Sequence, residues 1–152
     1  MNQDSSALDK LMLRLTDKSE TSIFQTLPKG YLVLNLTGGI LGYNSKCMEL
    51  MGLGNNKEKT LNVDDFLSDY NKKRFMIMLE LAELKGHIDD FELEITKPSG
   101  QIKIVWISTS AIYDSNKRAI AFHCIISDMT KEQMFLDQIK EELLTSSRRL
   151  RK

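Results

Sequence analysis

Between Asp89 and Ser127 the chain reads DDFELEIT, QIKIVWISTSAIY and AIAFHCIIS, with only KPSG and DSNKR between them. In the first stretch Phe91, Leu93 and Ile95 alternate with Glu92 and Glu94. A period of two is that of a strand with one face buried and one in water. Connections of four or five residues with turn-forming types join antiparallel neighbours, because a parallel pair needs a crossover of a dozen residues or more. Much of the C-terminal half is therefore a three-stranded antiparallel meander, and something must cover its apolar face.

The preceding chain supplies the cover. GYLVLNL, the turn TGG and ILGYN read as a strand, a tight hairpin and a second strand. Asn44 stands where a helix N-cap belongs, before SKCMELMG, and Gly52 is its stop. VDDFL reads as one helical turn. SDYNKKRFMIMLELAELKG is a helix of ordinary length that puts Phe75, Met78, Leu79 and Ala82 on one face and ends at Gly86. Further upstream, Leu8, Leu11, Met12 and Leu15 form the stripe of a short amphipathic helix starting near Ser5 or Ser6, and Ser22 to Gln25 has the form of a capping box. The order is strand, strand, helices, three strands, helix. It predicts an α+β fold: a five-stranded antiparallel sheet with helices on one face, flanked by the N-terminal helix and a C-terminal one.

The C-terminal helix raises a separate question. Thr130 and Gln133 have capping-box spacing directly after the last strand, so a new helix starts there. Met129, Leu136, Leu143 and Leu150 recur every seven residues, Ile139 falls at the complementary position, and Ser146 weakens the seam. That period favours a two-stranded coiled coil over a helix folded back on its own sheet.

With 152 residues the chain accommodates one well-buried domain plus flanking elements. Lys plus Arg and Asp plus Glu number 21 each, so no overall field points to nucleic acid. The basic cluster Arg148, Arg149, Arg151 and Lys152 suits a solvated helix terminus. Cys47 and Cys124 lack metal or redox spacing, which fits a reducing compartment. The polar, acidic N-terminus is unlike a signal peptide, and the apolar run Phe75 to Leu79 is far short of the roughly 20 residues that span a bilayer. The expectation is a cytoplasmic location, with no membrane contact by this segment and no nucleic-acid partner.

Taken together, GYLVLNLTGGILGYN, DDFL, the segment FELEITKPSGQIKIVWIS and the closing SDMT resemble a Per-Arnt-Sim (PAS) domain, the intracellular sensor module of sensor kinases and other signalling proteins. The likeness runs in register from about residue 27 to 130. It implies a division into N-terminal flanking helices (1–26), a PAS-like core (27–130) and a C-terminal signalling helix (131–152). One departure is Asn35, where the family often has Asp at the end of the first strand.

The resemblance implies a pocket between sheet and helices. Its lining would be Phe91, Leu93 and Ile95; Val105, Ile107 and Thr109; and Phe122, Cys124 and Ile126, with Met48, Met51, Phe66, Phe75 and Leu79 from the helical side. Flavin-binding relatives carry amides at the positions of Ile107 and Ile126 and an Asn-Cys-Arg motif that is missing here. Haem-binding relatives present a His from the long helix. Here His87 falls beyond that helix and His123 points away from the lining. The expectation is no flavin, haem or metal. Two readings stay open: a small apolar ligand, or a packed, ligandless core in which the eight methionines fill gaps.

No catalytic or phosphoacceptor constellation is legible, because Asp64-Asp65 and Asp89-Asp90 are adjacent pairs whose side chains diverge. The resemblance implies the sensory portion of a bacterial sensor histidine kinase or a similar protein. Asp128 and Thr130 would form the signal junction, and Met129, Leu136, Ile139, Leu143 and Leu150 the homodimer helix leading to a downstream effector domain. The second functional reading is a dimerisation or docking module.

Overall fold

The computed structural model describes residues 29–54 and 61–150, with the side chains of 149 and 150 outside the description. The expected N-terminal helices fall outside the described residues, and of the heptad seam the Leu150 side chain does too.

The first hairpin pairs β1 (Gly30–Leu34) with β2 (Ile40–Tyr43) around a turn organised by Asn35. The Asn35 Oδ1 accepts from the Gly39 N–H at 2.7 Å, the Thr37 N–H at 3.0 Å and the Thr37 hydroxyl at 3.0 Å. One acceptor oxygen is all this turn uses, which is why an amide serves where relatives have a carboxylate. A Cβ at Gly39 would lie 2.4 Å from Asn35 Nδ2, so that position admits only glycine without rearrangement.

Helix α1 (Ser45–Met51) follows at once, capped by Asn44 and stopped by Gly52 in the left-handed conformation at φ 71°. A short 3-10 turn (Val63–Phe66) carries a capping box between Asn62 and Asp65. Helix α2 (Asp69–Lys85) starts at the Ser68 cap and buries Phe75, Met78, Leu79 and Ala82, the face that its periodicity predicts. Strands β3 (His87–Thr96), β4 (Ile102–Tyr113) and β5 (Ala119–Asp128) complete the sheet, and α3 (Thr130–Leu150) leaves it.

The five strands lie in the order β2-β1-β5-β4-β3, every neighbouring pair antiparallel. The first strand therefore pairs with the last, which closes the sheet across the whole length of the domain. Helices α1 and α2 cover one face, and the core between them is one contiguous apolar cluster that includes Leu32, Leu34, Cys47, Leu50 and Met51. No helix among the described residues is long and apolar enough to cross a membrane.

Strand β3 begins earlier than its alternation implies. His87, expected in the connection after α2, opens the strand, and a bulge between Ile88 and Phe91 absorbs Asp89 and Asp90. Asp90 takes a positive φ of 51°, and its N–H donates to Ser108 Oγ at 3.1 Å. Asp tolerates that left-handed conformation better than most side chains, so the bulge resets the register and lets Phe91, Leu93 and Ile95 face inward.

Candidate functional site in the core and at the strand-to-helix junction

The sheet's inner face gathers the expected lining. Leu93, Ile95, Val105, Ile107, Thr109, Phe122, Cys124 and Ile126 are all buried, and Met51, Phe66, Phe75 and Leu79 meet them from the helical side. Met48 and Phe91 are only partly buried and pack at the rim of the cluster. Ile107 and Ile126 face each other as cross-strand partners, so the positions where flavin-binding relatives carry amides form an apolar pair.

Within this apolar set one group is polar. Thr109 is fully buried, and its hydroxyl lies 3.3 Å from Cys124 Sγ and 3.6 Å from Met78 Sδ, within reach of donating to either. Sulfur is a weak acceptor, so this hydroxyl is held more loosely than a buried hydroxyl bonded to a carbonyl. Nearby, Cys47 Sγ donates to Met51 Sδ at 3.6 Å. Burial, reinforced by the neighbouring Cys124, pushes the Cys47 thiol up to about 12. Burial likewise raises Cys124 to about 12 against the opposing hydrogen bond from Thr109. Both thiols are protonated at neutral pH and act as small apolar groups rather than nucleophiles.

Asn44, by sequence a cap, also locks α1 to β1. Its Oδ1 accepts from the Cys47 N–H and the Tyr31 N–H, both at 2.9 Å, while Nδ2 donates to the Lys29 carbonyl at 3.0 Å. The residue is 1 % exposed. Capping-residue chemistry is readable from sequence, but the second acceptor bond crosses 13 residues of chain and is a tertiary contact.

On the outer face stand Glu92, Glu94, Trp106 and His123. His123 is half-buried beside Tyr31, whose hydroxyl is 3.0 Å from Nδ1. Burial holds the imidazole below its usual pKa and raises the Tyr31 hydroxyl, so at neutral pH this hydrogen bond joins an uncharged phenol and an uncharged ring. His123 is directed away from the core, as its alternation with Phe122 and Cys124 requires.

The junction between β5 and α3 differs from the sequence expectation in one respect. Thr130 does not form a capping box with Gln133. Its hydroxyl turns back to the sheet and accepts from the Ile104 N–H at 3.0 Å. The capping oxygen comes instead from Asp128, whose Oδ1 accepts from the Thr130 N–H at 3.0 Å, while Oδ2 meets Lys103 Nζ at 3.3 Å. Burial raises the Asp128 carboxyl, but bonds from Thr130 and Lys103 outweigh it and hold the group below the usual carboxylate range. The Met129 N–H donates to the Ile104 carbonyl at 2.8 Å. The helix start is thus fastened to Lys103 and Ile104 on β4 as well as to its own strand. A strand-pairing contact, invisible in the local pattern, competes successfully for the Thr130 side chain.

Beyond this junction α3 leaves the sheet. Leu136 is 51 % and Leu143 65 % exposed, Ile139 and Met129 are partly covered, and Phe135 and Leu144 are exposed as well. The apolar stripe is not folded back onto the sheet. Among the described residues no group of three or more His, Cys, Asp or Glu is placed to hold a metal ion.

Known proteins share this architecture. The PAS domain of a protein from Colwellia psychrerythraea is 19 % identical with a TM-score of 0.67, over 75 % of this chain and 97 % of that one. An RNA-binding Light-Oxygen-Voltage receptor is 14 % identical with a TM-score of 0.68, over 86 % of this chain but 38 % of the receptor. A sensory box histidine kinase/response regulator from Burkholderia thailandensis is 16 % identical with a TM-score of 0.63, over 91 % of this chain and 98 % of that structure. No match to a curated protein is found. At these identities the structures speak for the fold alone, whereas the sequence model described as PAS domain matches residues 28–131, well over half of the chain. The two boundaries of that match fall at the entry to β1 and the first turn of α3, and the chain belongs to the PAS domain family.

Proposed function

We propose that this chain is a regulatory module of signal transduction, in which a change in the core is passed through the sheet to a dimeric C-terminal helix that controls an effector domain. The observation that carries this reading is the fastening of α3 to two strands at once. Met129 and Thr130 bond to Ile104, and Asp128 pairs with Lys103. One residue further along β4, Val105 reaches into the core and pairs with Leu93 on β3. A displacement of β4 against β5 therefore moves the helix start, and a rigid helix carries that movement outward.

The stimulus in this reading is a small, largely apolar molecule with one acceptor atom seated against the Thr109 hydroxyl, which would exchange two weak sulfur contacts for a better acceptor at little cost. The module acts without catalysis of its own. Native mass spectrometry of the purified chain is the test: an endogenous small molecule retained by the folded protein supports ligand sensing. The second reading, a dimerisation module with a filled core, is favoured by the near-complete burial of the lining. It predicts no bound mass and no thermal shift with any apolar compound. Phosphate transfer from ATP to the isolated chain would overturn both.

A further inference from the structure

A cleft of about 320 Å³ lies away from the core, between the first turns of α2 and the edge of β3, and is lined by Tyr70, Asn71, Arg74, Glu92 and Glu94. Its charges are unusual. The Arg74 guanidinium lies 4.8 Å from the Phe91 ring centre and 5.8 Å from that of Tyr70, and it donates to Asn71 Oδ1 at 3.4 Å. Among the described residues it has no carboxylate within ion-pair distance, although Glu92 and Glu94 line the same cleft. Two aromatic faces hold the cation in place and leave its donors for another partner.

The backbone of β3 adds to this. The Glu94 N–H donates to Asn71 Oδ1 at 3.4 Å, so it points away from β4 and toward α2. Glu94 faces Ile104, and two residues back Glu92 faces Trp106, in the same antiparallel pairing. Backbone groups two residues apart on a strand point the same way, so the Glu92 N–H and C=O also face outward at the free edge, beside Arg74. The cleft thus presents a guanidinium and an N–H to an anion and a backbone carbonyl to a cation, with the Glu92 and Glu94 carboxylates on the adjoining outer face adding negative potential.

We propose that this cleft binds a zwitterion of the α-amino-acid class, its carboxylate on Arg74 and the Glu92 N–H, its ammonium on the Glu92 carbonyl and drawn there by the field of the Glu92 and Glu94 carboxylates. An apolar or aromatic side chain would lie toward Tyr70. An extended peptide adding to the β3 edge is disfavoured, because Asn71 already occupies the next outward N–H and limits pairing to one residue. The site is separate from the core and does not depend on the core's binding a ligand.

The test is an amide NMR titration of the full chain with L-leucine, L-phenylalanine, L-glutamate and L-arginine, each beside its N-acetyl amide. We expect saturable shifts at Glu92 and Glu94 with at least one free amino acid and none with its blocked form. Arg74→Gln should weaken that binding roughly ten- to a hundredfold, the loss of a charge-assisted bond, and Glu92→Gln, on an exposed strand face, should weaken the same ligand with the thermal midpoint unchanged. Absence of saturable shifts with all four amino acids, equal binding of a blocked form, or binding that survives both substitutions would overturn the proposal. So would binding of an extended peptide at this edge when no free amino acid binds.

Discussion

The core and the C-terminal helix are written in the same alphabet and meet opposite fates. Phe75, Leu79, Leu93 and Ile107 repeat at helical or strand period and are almost wholly buried. Leu136 and Leu143 repeat as regularly and remain exposed by half or more. Periodicity identifies which face of an element is apolar, and the hydrophobic effect demands that the face be covered. What covers it is set by geometry: α2 lies across the sheet, whereas α3 is held at one end and directed away from it.

That contrast can be broken by substitution, beginning where the effect is largest. Phe75→Ala removes a fully buried ring from the α2 side of the core and should destabilise the fold by about 3–5 kcal/mol, read as a drop in the urea midpoint at constant slope. A loss below about 1 kcal/mol would mean that the core is loose enough to collapse, which would favour the ligand-sensing reading. Asn44→Ala strands the N–H groups of Cys47 and Tyr31 in a buried setting, and about 2–4 kcal/mol should be lost in the same measurement.

The junction should respond on a smaller scale and with a sign fixed by pH. Asp128 has a folded pKa below its unfolded value, so it stabilises the fold above the unfolded carboxylate range, and this contribution disappears as pH falls through the folded pKa. Asp128→Asn should cost roughly 1 kcal/mol or less at neutral pH, given the partial exposure of its pair with Lys103. The gap between wild type and variant in thermal melts should close in acid. A gap that stays constant with pH would show that the carboxylate's charge contributes nothing there.

The smallest effect on folding is expected for Leu136→Asp. Urea stability measured on the monomer should change by no more than about 0.5 kcal/mol, because the side chain is exposed in the single chain. Sedimentation should nonetheless convert a wild-type dimer to monomer. A wild-type chain that sediments as a monomer at high concentration would remove the dimer from the proposed mechanism.

How much was legible beforehand varies with the range of the interaction. The alternation of Phe91, Leu93 and Ile95 with Glu92 and Glu94 placed β3's faces, and the Asn44 and Gly52 signals bounded α1, because these patterns act within a few residues. The bulge at Asp89 and Asp90 left no clear mark, since two adjacent acids read equally well as a turn or a strand end. The Thr130 hydroxyl reads as a cap for a similar reason: the sequence shows its local partners but not Ile104, which the fold brings within 3.0 Å. The cleft at Arg74 has no signature in the sequence because its members come from α2 and β3 and share no motif.

The amino-acid sequence by itself determined the elements, their apolar faces and the family, since local periods, caps and turns are written in neighbouring residues. Only the tertiary structure decided that β1 would pair with β5, that Asn44 would tie a helix to a strand, that Thr130 would bond to β4, and that α3 would keep its leucines off the chain's own sheet. Those outcomes depend on which backbone donors and which apolar faces arrive together when distant segments pack.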